Sequence, residues 1–99
     1  MELNPIPLGI KQIQKQLEKL TSWEIEAGKL EKTFNFPDFK TARDFVNKLA
    51  LLAEQEEHHP EILWQYNTVK IMLFTHKISS LSNLDFSLAE KTDKISICN

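Results

Sequence analysis

The chain has 99 residues, 41% of them apolar and 26% charged, with a formal net charge of −2. That is the length of one domain and the composition of an ordinary soluble globular protein. The 12 basic and 14 acidic side chains are interspersed with no basic block, so no electrostatic case exists for a nucleic-acid partner, and no apolar run is long enough to span a bilayer.

Cys98 is the one cysteine, which excludes an intramolecular disulfide and a cysteine-based zinc site. A reducing compartment is the simpler reading. Met1-Glu2-Leu3-Asn4-Pro5 lacks a basic start followed by an apolar run, so no signal peptide is expected. A cytoplasmic location follows as the expectation.

Pro5 and Pro7 keep the first segment extended. Ile10, Ile13, Leu17 and Leu20 recur at spacings of three and four, which predicts a helix over about 9–21. From 23 to 27 the pattern alternates, with Trp23, Ile25 and Ala27 on one face. Gly28-Lys29 supplies a turn, and Leu30, Lys32, Phe34 and Phe36 continue the period of two, so the stretch reads as a β-hairpin. Pro37-Asp38 breaks the strand, and Asp38 suits a helix N-cap. Phe39, Ala42, Phe45, Val46, Leu49, Leu52 and Ala53 mark the longest helix, expected to stop near His59 because Pro60 disfavours helical geometry before it. Residues 62–66 and 68–76 read as a second strand pair turning at Asn67-Thr68, with Met72 and Phe74 opposite Val69, Ile71 and Leu73. Ser82 and Asp85 form a capping box, flanked by a Leu81–Phe86 staple, ahead of a last helix over about 83–94. The order helix, hairpin, helix, hairpin, helix predicts one α+β domain over residues 1–99 with an antiparallel sheet.

Chemistry concentrates in the histidines. His58 and His59 fall at the expected end of the long helix, and His76 at the end of the fourth strand. If both ends open on one side, three imidazoles surround one cleft, with Asp85 nearby. Groups that exchange protons near neutral pH suit an elimination, in which one protonates a departing hydroxyl and another removes a proton. Plainer readings stand beside this one. A histidine pair at a helix C-terminus is favoured by the dipole alone, and on the residues alone that reading is the stronger. His76 also fits a strand-end residue and Asp85 a cap. Metal binding ranks below both, because adjacent helical side chains point about 100° apart. Trp23 and Trp64 suit stacking on a planar heterocycle, but more commonly anchor a core or interface. Met72 and Phe74 read as packing, and Glu54-Gln55-Glu56-Glu57 as a solvated face. Nothing around Ser79, Ser80 or Ser82 marks a serine nucleophile.

The run Glu57-His58-His59-Pro60-Glu61, then Tyr66-Asn67, Val69, Thr75-His76, Leu81-Ser82 and Asp85, resembles the signature of the pterin-4a-carbinolamine dehydratases. Trp23, Leu30, Phe34, Phe36, Phe39, Ala42, Phe45, Ala53-Glu54 and Leu88-Ala89 extend the likeness over about residues 8–95. The resemblance implies a four-stranded antiparallel sheet with three helices on one face. It implies dehydration of a 4a-hydroxytetrahydropterin to a quinonoid dihydropterin, with no metal and no cofactor. It places catalysis on His58, His59 and His76, with Asp85 orienting or charge-tuning a histidine. It draws pterin contacts from His58, His59 and Pro60 and from Thr75, His76, Lys77 and Ile78. It also implies a homodimer or homotetramer, while the charge distribution and the lack of a spanning apolar run leave no nucleic-acid or membrane partner expected. Animal relatives double as dimerisation cofactors for a homeodomain transcription factor. An interaction module, with the helix from Phe39 to Ala53 as its partner face, is therefore the competing expectation, and a pterin scaffold without turnover is a third. The chain departs from the family pattern at Ile62, at Ser79-Ser80 and at the bulky Phe74.

Overall fold

The computed structural model describes residues 5–97, so the readings made on Met1–Asn4 and on Cys98 lie outside the described residues. Helix α1 covers Ile10–Glu18. It is shorter than the periodicity suggests, because the chain bends at Thr21-Ser22 and Ser22 has a φ of 65°. Ile13, Leu17 and Leu20 lie against the core, while Ile10 is 77% exposed.

Strands β1 (Glu24–Glu26) and β2 (Lys29–Asn35) are joined through Ala27-Gly28, one residue before the expected turn. Both turn residues have positive φ, 52° and 79°, as a two-residue hairpin turn of matching twist requires. Strands β3 (Glu61–Gln65) and β4 (Thr68–Leu73) turn at Tyr66-Asn67, again one residue early. Asn67 ties this turn to the end of β2: its side-chain amide donates to the Phe36 carbonyl (2.8 Å), and its own carbonyl accepts the Phe36 N–H (2.9 Å).

All pairings are antiparallel and the order is β1-β2-β4-β3. The register sets Leu30 opposite Leu73 and Phe34 opposite Val69, so the period of two collects Leu30, Phe34, Val69, Ile71 and Leu73 on one buried face. The opposite face carries the Lys70–Glu31 ion pair (3.2 Å) and the Lys29–Glu61 pair, with Met72 half-buried among them. Lys32 breaks the apolar pattern of the inner face. Its ammonium reaches Asp93 at 2.8 Å and lies 4.9 Å from the Phe34 ring centre. The Trp23 indole N–H also donates to Asp93, which makes this tryptophan a buried core anchor.

Helix α2 (Phe39–Glu56) starts where Asp38 accepts the Thr41 N–H (2.8 Å) and hydroxyl (2.7 Å). Ala42, Phe45, Leu49 and Ala53 are buried at spacings of three and four, and the Phe45 ring lies 4.9 and 5.0 Å from those of Phe34 and Phe36. The apolar positions expected to offer a partner face are thus mostly held in the core, and only Phe39 and Leu51 remain as large exposed apolar side chains of this helix. Helix α3 (Asn83–Ile97) runs three residues beyond expectation, with Phe86, Leu88 and Ala89 buried. The extended N-terminal segment is tied to its start by Leu8 N–H to the Leu81 carbonyl (3.2 Å) and Asn83 N–H to that of Ile6 (3.3 Å). The three helices thus cover one face of the sheet. Among the described residues no helix is long and apolar enough to cross a membrane.

The Thr41 backbone N–H and then its hydroxyl hold the Asp38 carboxyl below its ordinary value of 3.8. A lowered carboxyl contributes stability above its unfolded value and loses it as the pH falls through the lowered folded value. Asp38→Ala should therefore lower the urea midpoint at neutral pH, and the gap from the parent should close in strong acid. An equal gap at about pH 7 and about pH 2 would assign the loss to something other than the charged cap.

Candidate functional site

The site begins with how α2 stops. Glu57 takes a left-handed conformation (φ 52°, ψ 36°), and its N–H bonds back to the carbonyls of Ala53 and Glu54. His58 N–H reaches the Ala53 carbonyl as well (3.1 Å), the wide bond that closes a helix of this kind. Glycine usually occupies such a position, and a side chain there costs on the order of 1 kcal/mol. The helix was expected to run on to His59, but both histidines lie past its end. The 100° separation of helical neighbours does not apply to them. The reversal turns His58 inward, 9% exposed, and leaves the His59 side chain 65% exposed.

His76 approaches from the other side. Strand β4 ends at Leu73, short of the expected residue 76, and His76 opens a 3-10 turn (His76–Ile78). A small loop holds this turn, with Thr75 N–H bonded to the Ser80 carbonyl (3.2 Å). Ser79 closes it at a φ of 50°, adopting the left-handed geometry without a glycine.

These two chain reversals bring His58, His59 and His76 to the wall of one cleft of about 300 Å³, at the lower end of the range for small-molecule sites. Thr75 and Lys77 also line it, whereas Pro60 and Ile78 do not. Pro5, Glu57, Phe74 and Leu84 line it without having been singled out as site residues. Glu57 and Phe74 lie within two residues of histidines in the chain, so their neighbourhood was a usable signal. Pro5 and Leu84 carried none, because tertiary folding alone brings them there.

Each imidazole has a different setting. The Phe74 ring meets His76 edge-on, with centres 5.1 Å apart. His59 Nε2 is 3.0 Å from the exposed Glu54 carboxylate. Glu61, close to His76, has its carboxyl held below the ordinary value chiefly by the hydrogen bond from Lys29, with the charges of Lys29 and His76 adding to it. His58 is anchored instead: its Nε2 lies 2.6 Å from Oδ1 of Asp85, a carboxylate with no exposed surface.

Asp85 stands behind His58, outside the cleft lining. It belongs to the first turn of α3, where aligned backbone N–H groups favour a negative charge. Its Oδ2 accepts the Ser82 N–H (2.9 Å) and the Thr75 hydroxyl (2.8 Å). The carboxylate half of the expected capping box is therefore present, while Ser82 Oγ accepts the N–H of Leu84 (3.1 Å) and not that of Asp85. Thr75, expected as a pterin contact, is 4% exposed and has its hydroxyl engaged with Asp85 and Ser82.

Trp23 and Trp64 are both away from the cleft lining. Trp64 stacks on Phe39 at 4.7 Å and donates its indole N–H to the Tyr66 carbonyl (2.7 Å). Among the described residues no three His, Cys, Asp or Glu side chains are grouped to hold one metal ion. Two accessible imidazoles and one buried, carboxylate-anchored imidazole around a small hollow make an arrangement for moving protons.

Residues 6–95 match the family model described as pterin 4 alpha carbinolamine dehydratase. A protein of Sulfurisphaera tokodaii named "Putative pterin-4-alpha-carbinolamine dehydratase" is 39% identical over 85 residues, 86% of this chain and 91% of the relative. A protein of Trichormus variabilis with the same name is 44% identical, over 89% of this chain and 95% of its own length. Among solved structures, a transcriptional coactivator/pterin dehydratase from Brucella melitensis superposes with a TM-score of 0.88 at 33% identity, covering 92% of this chain and 99% of that one. A pterin dehydratase-like protein described as a RuBisCO assembly factor in the alpha-carboxysome gives 0.67 at 25% identity, over 77% of this chain and 90% of that one.

Asp85→Asn replaces a carboxylate that accepts from the Ser82 N–H and the Thr75 hydroxyl and meets His58 Nε2 with a group that must itself donate on one side. Urea unfolding should show a loss of about 3 kcal/mol, as for other broken buried polar pairs. His76→Ala, at an exposed position, should stay within about 0.5 kcal/mol of the parent. Equal losses in the two variants would contradict the anchoring role given to Asp85.

Proposed function

The chain belongs to the pterin 4 alpha carbinolamine dehydratase family, and from that premise we propose that it eliminates water from a 4a-hydroxytetrahydropterin to give a quinonoid dihydropterin. The observation that carries this reading is the convergence of His58, His59 and His76 on one small cleft. In the elimination, the ring nitrogen beside the hydroxylated carbon supplies its electron pair as the carbon–oxygen bond breaks. One imidazolium protonates the departing hydroxyl, which leaves as water. A second imidazole takes the proton that the ring nitrogen sheds, so the proton count closes with neither nucleophile nor redox partner. Asp85 holds His58 in place for this exchange. Phe74 gives the planar ring an apolar wall, and Lys77 lies within reach of its polar edge.

A second reading is an interaction module on the same fold. It is favoured by the coactivator and assembly roles in the two structural relatives' descriptions and by the stack of the exposed Phe39 and Tyr66 with the half-buried Trp64. The same surface suits self-association. Strand β3 ends the sheet beyond β4, and its Ile62 and Leu63 are 38% and 49% exposed, so pairing with a second copy would cover an open edge. A soluble, cytoplasmic homo-oligomer is the setting proposed.

Purified protein should accelerate the dehydration of a chemically generated 4a-hydroxytetrahydropterin, followed by the rise of quinonoid dihydropterin absorbance. His59→Ala and His76→Ala should each slow it by roughly a hundredfold or more, the usual loss for a general acid or base. Parent protein no faster than buffer would discard the dehydratase reading and leave the interaction module.

A further inference from the structure

The buried polar groups behind the cleft are ordered in one direction. The Leu84 N–H donates to Ser82 Oγ at 3.1 Å. Thr75 Oγ1 donates its only hydrogen to Asp85 Oδ2 at 2.8 Å. The 2.7 Å contact between Ser82 Oγ and Thr75 Oγ1 must therefore use the serine hydrogen, with threonine accepting. The Ser82 N–H also donates to Asp85 Oδ2, at 2.9 Å. Every hydrogen in this chain points toward the carboxylate, and hydrogen bonds aligned head to tail strengthen one another. Ser82 and Asp85 have no exposed surface and Thr75 has 4%, so bulk water does not compete for these groups.

With Oδ2 filled by two donors, the carboxylate has Oδ1 left for His58 Nε2, 2.6 Å away. We infer that Thr75 and Ser82 are positioning residues: their hydroxyls keep Asp85 an acceptor toward His58, which puts the neutral ring's proton on Nε2 and leaves Nδ1 as the atom that takes or returns a proton. This rests on the proposed dehydratase reading for its catalytic use, but the placement of the proton is a property of the free protein. It also explains why Thr75 sits in the cleft wall with no hydroxyl to offer a ligand. The opposite arrangement has Asp85 protonated on Oδ1 and His58 protonated on Nδ1, and it demands no help from either hydroxyl.

The test is a long-range nitrogen–proton correlation spectrum of the histidine side chains in the full chain without ligand, recorded across pH and read on the neutral ring. Parent protein should show His58 as the Nε2–H form. Thr75→Val, which keeps the shape and removes the hydroxyl, should shift His58 toward a mixture of the two forms and lower kcat at least tenfold with KM changed less than threefold. Thr75→Ser should restore both the spectrum and the rate, and Ser82→Ala should repeat the valine effect in weaker form. An Nδ1–H ring in the parent, or a Thr75→Val spectrum identical to it, would overturn the inference. If Thr75→Val does not fold, Ser82→Ala and Thr75→Ser read against the parent decide the same question. An Nε2–H ring in a parent that turns over no pterin would support the placement of the proton and reject the dehydratase reading instead.

Discussion

A carboxylate with no access to water has to be met on every side by donors, and Asp85 is such a group. Its partners come from three parts of the chain: the start of α3 through Ser82, the loop after β4 through Thr75, and the end of α2 through His58. Satisfying one buried charge thus pins together the segments that make the cleft. Among the described residues no buried side-chain nitrogen or oxygen lacks a partner, so the network is complete as it stands. A half-satisfied version would be worse than an apolar core. The place of the His58 ring, and of the Thr75 backbone beside His76, is therefore a consequence of how Asp85 is accommodated.

That anchoring divides the histidines into two kinds. His58 is held on one side by Asp85, while His59 and His76 sit at the exposed rim beside Glu54 and Phe74. An elimination needs proton exchange at two places on a planar ring, and rings approaching from separate loops can reach separate atoms. Two left-handed residues, Glu57 and Ser79, make the loops possible. Their backbone strain is held by the surrounding hydrogen bonds, an arrangement frequent where function fixes a loop.

Much of this is legible in the sequence. The period of two in Leu30–Phe36 and in Val69–Leu73 sets a sheet with one buried face, and the three-and-four spacing of Ala42, Phe45, Leu49 and Ala53 sets the helix above it. Asp38 and Asp85 announce helix starts by capping chemistry that acts within one turn. The convergence of His58, His59 and His76 depends on a condition, that two element ends open on one side, and the two reversals meet it. What escapes is decided at the ends of elements and across distance. Glu57 ends α2 early, and a left-handed residue without glycine leaves no mark in the pattern. Ala27 hides the first turn for the same reason. Thr75 reads as a ligand contact because its hydroxyl is polar and adjoins His76; that Asp85 and Ser82 claim it depends on contacts 10 and 7 residues away in the chain. Lys32 sits in an apolar rhythm with no local reason, and its partner Asp93 lies 61 residues further on. Short-range rules cannot carry such pairings.

The proposed elimination requires that one pterin ring fit among these three imidazoles. The most direct measurement follows the ring signals of all three histidines by NMR while an unreactive dihydropterin is added. His58, His59 and His76 should shift together along one saturation curve, while the backbone signals of Phe39, Trp64 and Tyr66 stay in place. Shifts confined to the Phe39–Trp64–Tyr66 stack, with the histidines silent, would contradict it.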